Sequence, residues 1–111
     1  MDIREERKEG FLILFLEGRL DANNTKIFEE KVLKFIDQGE TRFIIDLSQV
    51  DYVSSAGLRV FLLASKRLSP DRGRIVFCSL QEPVKEVFDI VGFFSVLSIS
   101  ESRDEALKLL L

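Results

Sequence analysis

The chain has 111 residues, enough for one domain with one core, and 46% of them are hydrophobic, as a globular domain requires. Its 16 basic residues stand against 19 acidic ones, a net charge of −3 that offers no broad attraction to phosphate backbones or anionic lipid, so neither nucleic acid nor membrane is expected as a partner. There is no histidine, which removes the Ser-His-Asp triad and the usual zinc or iron ligand, and no GxxxxGK[ST] or GxGxxG loop. No metal or cofactor is expected, and a binding or signalling module is favoured over an enzyme.

Cys78 is the single cysteine, so no internal disulfide can form and a reducing, cytoplasmic setting is expected. Its neighbours Ile75, Val76 and Phe77 mark it as a buried apolar residue rather than a reactive thiol. The polar opening MDIREERKEG does not read as a secretory signal, and the run Phe11 to Leu16 is too short to cross a bilayer. The nearest thing to a basic patch is Lys66, Arg67, Arg72 and Arg74.

In chain order, residues 2–8 alternate charges around Ile3, Glu9-Gly10 punctuates, and FLILFL follows. This predicts a hairpin with a polar edge strand and a buried partner that Gly18 ends. Leu20-Asp21-Ala22-Asn23-Asn24 has the composition of a loop feeding a helix cap. From Thr25 to Gln38, Phe28, Val32, Phe35 and Ile36 recur at helical spacing, and Gly39 sits where a left-handed C-terminal residue belongs. Arg42 to Leu47 is a continuous apolar run expected of a central strand, followed by the connection SQVDYV.

A helix is predicted from about Ala56 to Leu68, with Pro70 and Gly73 as breakers, and Arg74 to Ser79 as the next strand. Glu82-Pro83 opens another helix at the position proline tolerates best, and Gly92 closes it. Val96 to Ile99 reads as a last short strand. Ser102-Arg103-Asp104-Glu105 is a capping box before a terminal helix, Ala106 to Leu111. The order β-β-α-β-α-β-α-β-α implies one α/β domain over residues 1–111, with a mixed, mostly parallel sheet and an antiparallel edge from the hairpin.

The segment Asp46 to Leu58, DLSQVDYVSSAGL, runs from the central strand into a helix start containing Ser54, Ser55 and Gly57. A helix N-terminus leaves backbone N–H groups unpaired, and its dipole stabilises an added anion by roughly 0.3–1 kcal/mol. Glycine at 57 is expected to keep the first turn clear for an approaching partner. The plain reading stands beside this one: serine is a favoured N-cap and starts many helices with no further role. The next helix is apolar nearly all round (Leu58, Val60, Phe61, Leu62, Leu63, Ala64), which fits either a partner surface or deep burial.

This segment closely resembles the pattern DLSxVxxhDS[STA]GL of the STAS domain family, which includes the anti-sigma factor antagonists and the cytosolic domains of sulphate transporters. Gly18-Arg19-Leu20-Asp21-Ala22-Asn23-Asn24 is similar to a second family feature, G-x-L-D-x-x-[NT], and the element order agrees over essentially the whole chain. The resemblance implies that Ser55 is phosphorylated by an anti-sigma factor serine kinase. The unphosphorylated form would bind that kinase and free the sigma factor, phosphorylation would release it, and a serine phosphatase would reset the switch. It further implies a partner surface of Asp21, Asn23 and Asn24 with Ser54, Ala56, Gly57 and Leu58, Asp21 helping to shape it. Ser54 stands where the family commonly has Asp, which leaves it as the competing acceptor; the ungapped register to Gly57-Leu58 favours Ser55.

Added phosphate brings about −1.5 to −2 charges. Desolvating that charge in an interface built around a neutral hydroxyl costs roughly 2–5 kcal/mol, or about 30- to several-thousand-fold in affinity, without a fold change. The same resemblance also accommodates an unphosphorylated scaffold, or an accessory subunit of a stress-signalling assembly or lipid ABC transporter. A Ser55 nucleophile is disfavoured because VSSAG lacks the GxSxG elbow and no histidine can serve as base.

Overall fold

A computed structural model describes residues 1–68 and 73–110. Pro70 as a breaker, Arg72 in the basic cluster and Leu111 at the chain end lie outside the described residues. The opening hairpin forms as its punctuation implies. β1 (Asp2–Lys8) and β2 (Phe11–Leu20) pair antiparallel from Asp2↔Glu17 to Lys8↔Phe11, and Glu9 and Gly10 turn the chain at φ of 53° and 86°. Charged and almost wholly exposed, β1 is an edge that resists pairing with another sheet. Phe11 to Leu14 of β2 are all buried, because alternate side chains feed the two faces of the sheet.

β3 (Arg42–Val53), β4 (Arg74–Cys78) and β5 (Ser98–Ser100) follow in parallel, giving the order β1-β2-β3-β4-β5. Each crossover steps one strand in the same direction. Crossovers of one hand therefore stack α1 (Thr25–Asp37), α2 (Ser55–Leu68) and α3 (Glu82–Ile90) on one face. α4 (Arg103–Leu110) packs on the other face, where Ala106 and Leu107 meet Phe11, Ile13, Ile44, Val76 and Cys78. The architecture is the mixed α/β sheet with an N-terminal hairpin and four helices that the chain's pattern implies.

Two strand ends differ from expectation for one reason. β3 runs through SQVDYV to Val53 instead of stopping at Leu47, and β2 continues past Gly18 to Leu20. Their pairing shifts between Phe15 and Glu17 and again between Gly18 and Arg19, each time inserting an extra β3 residue. Such bulges place Leu47, Val50 and Val53 in the core at three-residue spacing, which a two-residue alternation does not reveal. Gly18, at φ +112°, marks a bulge and not a strand end. At the far edge Val96 precedes β5, 62% exposed, so that strand starts two residues later than expected.

Local stops behave as read. Gly39, at φ +98°, donates to the Ile36 carbonyl and Glu40 to that of Phe35, the paired bonds of a left-handed helix ending. α2 uses nearly all its apolar side chains inside: Leu58, Val60, Phe61, Ala64 and Leu68 are buried, and of the large ones Leu63 alone is clearly exposed. The ring of Phe61 touches Phe28 of α1 at 5.6 Å, Phe77 of β4 at 4.9 Å and Phe88 of α3 at 5.9 Å. Deep burial, rather than a partner surface, accounts for the apolar run. Cys78 is fully buried, and burial pushes its thiol up to about 11, as an inert core residue requires.

Candidate functional site

The site is assembled where β2 and β3 end and α1 and α2 begin. Ser54 is tied down on three sides. Its N–H donates to the Leu20 carbonyl at 2.8 Å, its Oγ accepts from Gly57 N–H at 3.2 Å, and its carbonyl accepts from Leu58 N–H at 2.9 Å. It is the N-cap of α2, and its hydroxyl satisfies one of the donors that every helix start leaves open. Aspartate and serine are near-equal N-caps, so serine at 54 keeps the geometry an aspartate would give.

Ser55 is the first helical residue and is exposed, and its hydroxyl bonds to no described residue. Two adjacent serines are thus separated by role: one hydroxyl is occupied in the cap, the other faces outward.

Gly57 has a different reason from the one expected. It is buried, and a Cβ there would lie 2.9 Å from both Leu20 Cδ2 and Val53 Cγ1. Glycine lets α2 settle directly on the ends of β2 and β3; it does not clear a path for a partner. Leu58 also faces the core. Both residues seat the helix start, and neither offers a side chain to a visitor.

Asp21 and Asn24 organise the neighbouring loop. Asp21 Oδ1 accepts from the N–H groups of Asn23 (3.0 Å) and Asn24 (3.1 Å), while Asn24 Oδ1 accepts from Asp21 N–H at 2.8 Å and its Nδ2 donates to the Arg19 carbonyl. Thr25 closes the loop by donating Oγ1 and N–H to the Asp21 carbonyl, at 2.6 and 3.0 Å. Asn24 precedes the helix without forming a side-chain cap; Asp21 does the organising instead, as an Asx turn. Ala22 and Asn23 form the exposed tip.

Between the two helix starts lies a shallow groove lined by Ala22, Thr25, Lys26, Ala56, Arg59 and Leu63. It joins Ala22 of the Asp21 loop to the first turn of α2; of the residues expected to form the surface, Ala56 lines it, while Asp21 and Ser55 do not. Arg59 and Lys26 were not anticipated from the sequence. The available signal was spacing: Arg59 follows Ser55 by four residues, one helical turn. Arg19 also stacks on Tyr52, 4.2 Å from guanidinium to ring centre, at the adjoining strand ends. Among the described residues no acidic or cysteine cluster could hold a metal ion, and no helix is long and apolar enough to cross a membrane.

The chain is a small α/β domain with an outward serine at the start of α2. The STAS domain model matches residues 2–106, and the chain belongs to that family. BtrV of Bordetella bronchiseptica, a protein assigned provisionally as an anti-sigma factor antagonist, is 40% identical over 106 residues, covering 96% of this chain and 91% of BtrV. TM1081 of Thermotoga maritima superposes with a TM-score of 0.92 at 22% identity, over 96% of this chain and 92% of its own. The Bacillus cell-fate determinant SpoIIAA in its phosphorylated form gives 0.76 at 20% identity, over 99% and 100%. These solved structures show the shared fold, and the relatives' names are those of anti-sigma factor antagonists.

Proposed function

We propose that this protein is an anti-sigma factor antagonist whose regulated point is Ser55. Unphosphorylated, it binds an anti-sigma factor serine kinase through the Asp21 loop and the first turn of α2, and so frees the sigma factor. Phosphorylation of Ser55 releases the kinase, and a serine phosphatase restores the binding form. The protein acts in the cytoplasm through protein partners, without catalysis or cofactor of its own.

The observation that carries this reading is the division of labour between the serines. Ser54 is occupied as the cap, whereas Ser55 is exposed and uncommitted beside a groove that the Asp21 loop completes. Charge explains release without a change of fold. A phosphoryl group at Ser55 adds about −1.5 to −2 charges where the unmodified protein presents a neutral hydroxyl.

The test is incubation with the cognate kinase and ATP, followed by mapping of the phosphate by mass spectrometry. Incorporation at Ser55 that disappears in Ser55→Ala is expected. Incorporation at Ser54, or none under conditions of tight kinase binding, overturns the assignment. Ser55→Asp is expected to weaken kinase binding at least 30-fold.

A further inference from the structure

The four α-helices among the described residues divide into two classes by the charge of their first turns. α3 opens with Glu82, and α4 with Asp104 and Glu105; α1 and α2 have no acidic residue there. Acidic side chains complement the partial positive charge of a helix start; α3 and α4 carry them in the first turn, α1 has the Asp21 carboxylate just ahead of it, and α2 has neither. α2, the helix that Ser55 opens, is thus the one left without an acid at its start.

The side chains around that end accentuate the deficit. Lys26 and Arg59 line the groove beside Ser55, opposed there by one acid, Glu29. Lys26 already lies 3.9 Å from Glu30, while Arg59 is exposed and makes no ion pair with a described residue. Residues 55 and 59 are one turn apart on the same helix face. Helical side chains lean toward the N-terminus, so an arginine at position 59 is placed to meet a group added at position 55.

We infer that Arg59 is the counter-ion of the phosphoryl group on Ser55, pairing with it within the same chain. This rests on the phosphorylation reading above and adds a second element to the switch. Modification adds charge and also withdraws Arg59 from the groove rim, where the unphosphorylated protein presents it to an acidic partner. A guanidinium suits the role because its fork of donors matches phosphate oxygens in pairs.

The experiment uses the full chain with phosphoserine installed at position 55 during translation, so that no kinase is needed. The second ionisation of phosphoserine, ordinarily near pH ~6, is followed by phosphorus NMR. In the otherwise unchanged chain it is expected to be depressed; in Arg59→Gln it returns toward the ordinary value, and in Arg59→Lys most of the depression is kept. The phosphorylated chain is also expected to melt about 2–4 °C above the unphosphorylated one, with part of that gain lost in Arg59→Gln and the share due to the helix start kept.

The helix start is the same in every variant, so the difference made by Arg59→Gln isolates the side chain from the dipole. Identical titrations for the unchanged chain and Arg59→Gln overturn the inference, as does an equal effect from Lys26→Gln. Failure of kinase labelling at Ser55 would instead overturn the switch itself, and the installed phosphate separates the two results.

Discussion

Two helix starts in this molecule share one capping geometry and differ in everything attached to it. Ser54 and Ser102 are both N-caps: their hydroxyls accept from Gly57 and Glu105 N–H at 3.2 and 3.1 Å, and their carbonyls from Leu58 and Ala106 N–H at 2.9 and 3.0 Å. After Ser102 come Arg103, Asp104 and Glu105, whose acids complement the start of α4. After Ser54 come Ser55, Ala56 and Gly57, with no acid and little bulk. The cap is therefore the shared structural element. What sets the start of α2 apart is an open hydroxyl, an uncompensated dipole and a glycine pressed onto the strands beneath.

That contrast can be broken or sharpened by substitution, beginning where the effect is largest. Gly57→Val forces side-chain atoms into Leu20 and Val53 and is expected to cost about 2–3 kcal/mol, read as a lowered urea midpoint with unchanged slope. The matching Glu105→Val, on an exposed position, is expected to cost about 0.5 kcal/mol or less, up to ~1 if the dipole contribution is fully felt. Equal costs would show that the two starts are seated alike. Ser54→Ala and Ser102→Ala are each expected to destabilise by about 1 kcal/mol, the worth of a serine cap. A much larger loss at Ser54 would mean that its contribution exceeds capping.

Ser55→Asp is expected to stabilise the fold by about 0.3–1 kcal/mol, supplying the anion that α2 lacks, while weakening kinase binding. Thermal melting at low salt checks the first part, and a lower melting temperature would contradict the uncompensated dipole. Ser55→Ala has the smallest effect on the fold, within about 0.5 kcal/mol of no change. Its expected consequence, under the proposed switch, is loss of phosphate incorporation.

Much of the fold was legible because its signals are local. Glu9-Gly10 turns the hairpin, Gly39 stops α1, Pro83 opens α3 and Ser102 caps α4, each by chemistry acting within a few residues. The ends of β2 and β3 were not legible, since two bulges change the core spacing to Leu47, Val50 and Val53, and the cause is the partner strand. The site was legible in part. The serines, Asp21 and the asparagines stand out as residue types, but Asp21 and Asn24 turn out to bind the backbone of their own loop. Arg59 carried no signal beyond its spacing from Ser55.

The sequence by itself determined the element order, the mixed sheet, the inward role of Cys78 and the family resemblance over Asp46 to Leu58. Composition, periodicity and punctuation are properties of neighbouring residues and survive without coordinates. Only the tertiary structure decided which serine is occupied and which is open, and why position 57 is glycine. Those answers depend on Leu20 meeting a helix that starts 35 residues later, Ser54 N–H reaching the Leu20 carbonyl and a Cβ at 57 striking its side chain. Contacts between distant residues form only when the sheet brings the ends of β2 and β3 side by side, and at that junction Ser54 is held and Ser55 is left open.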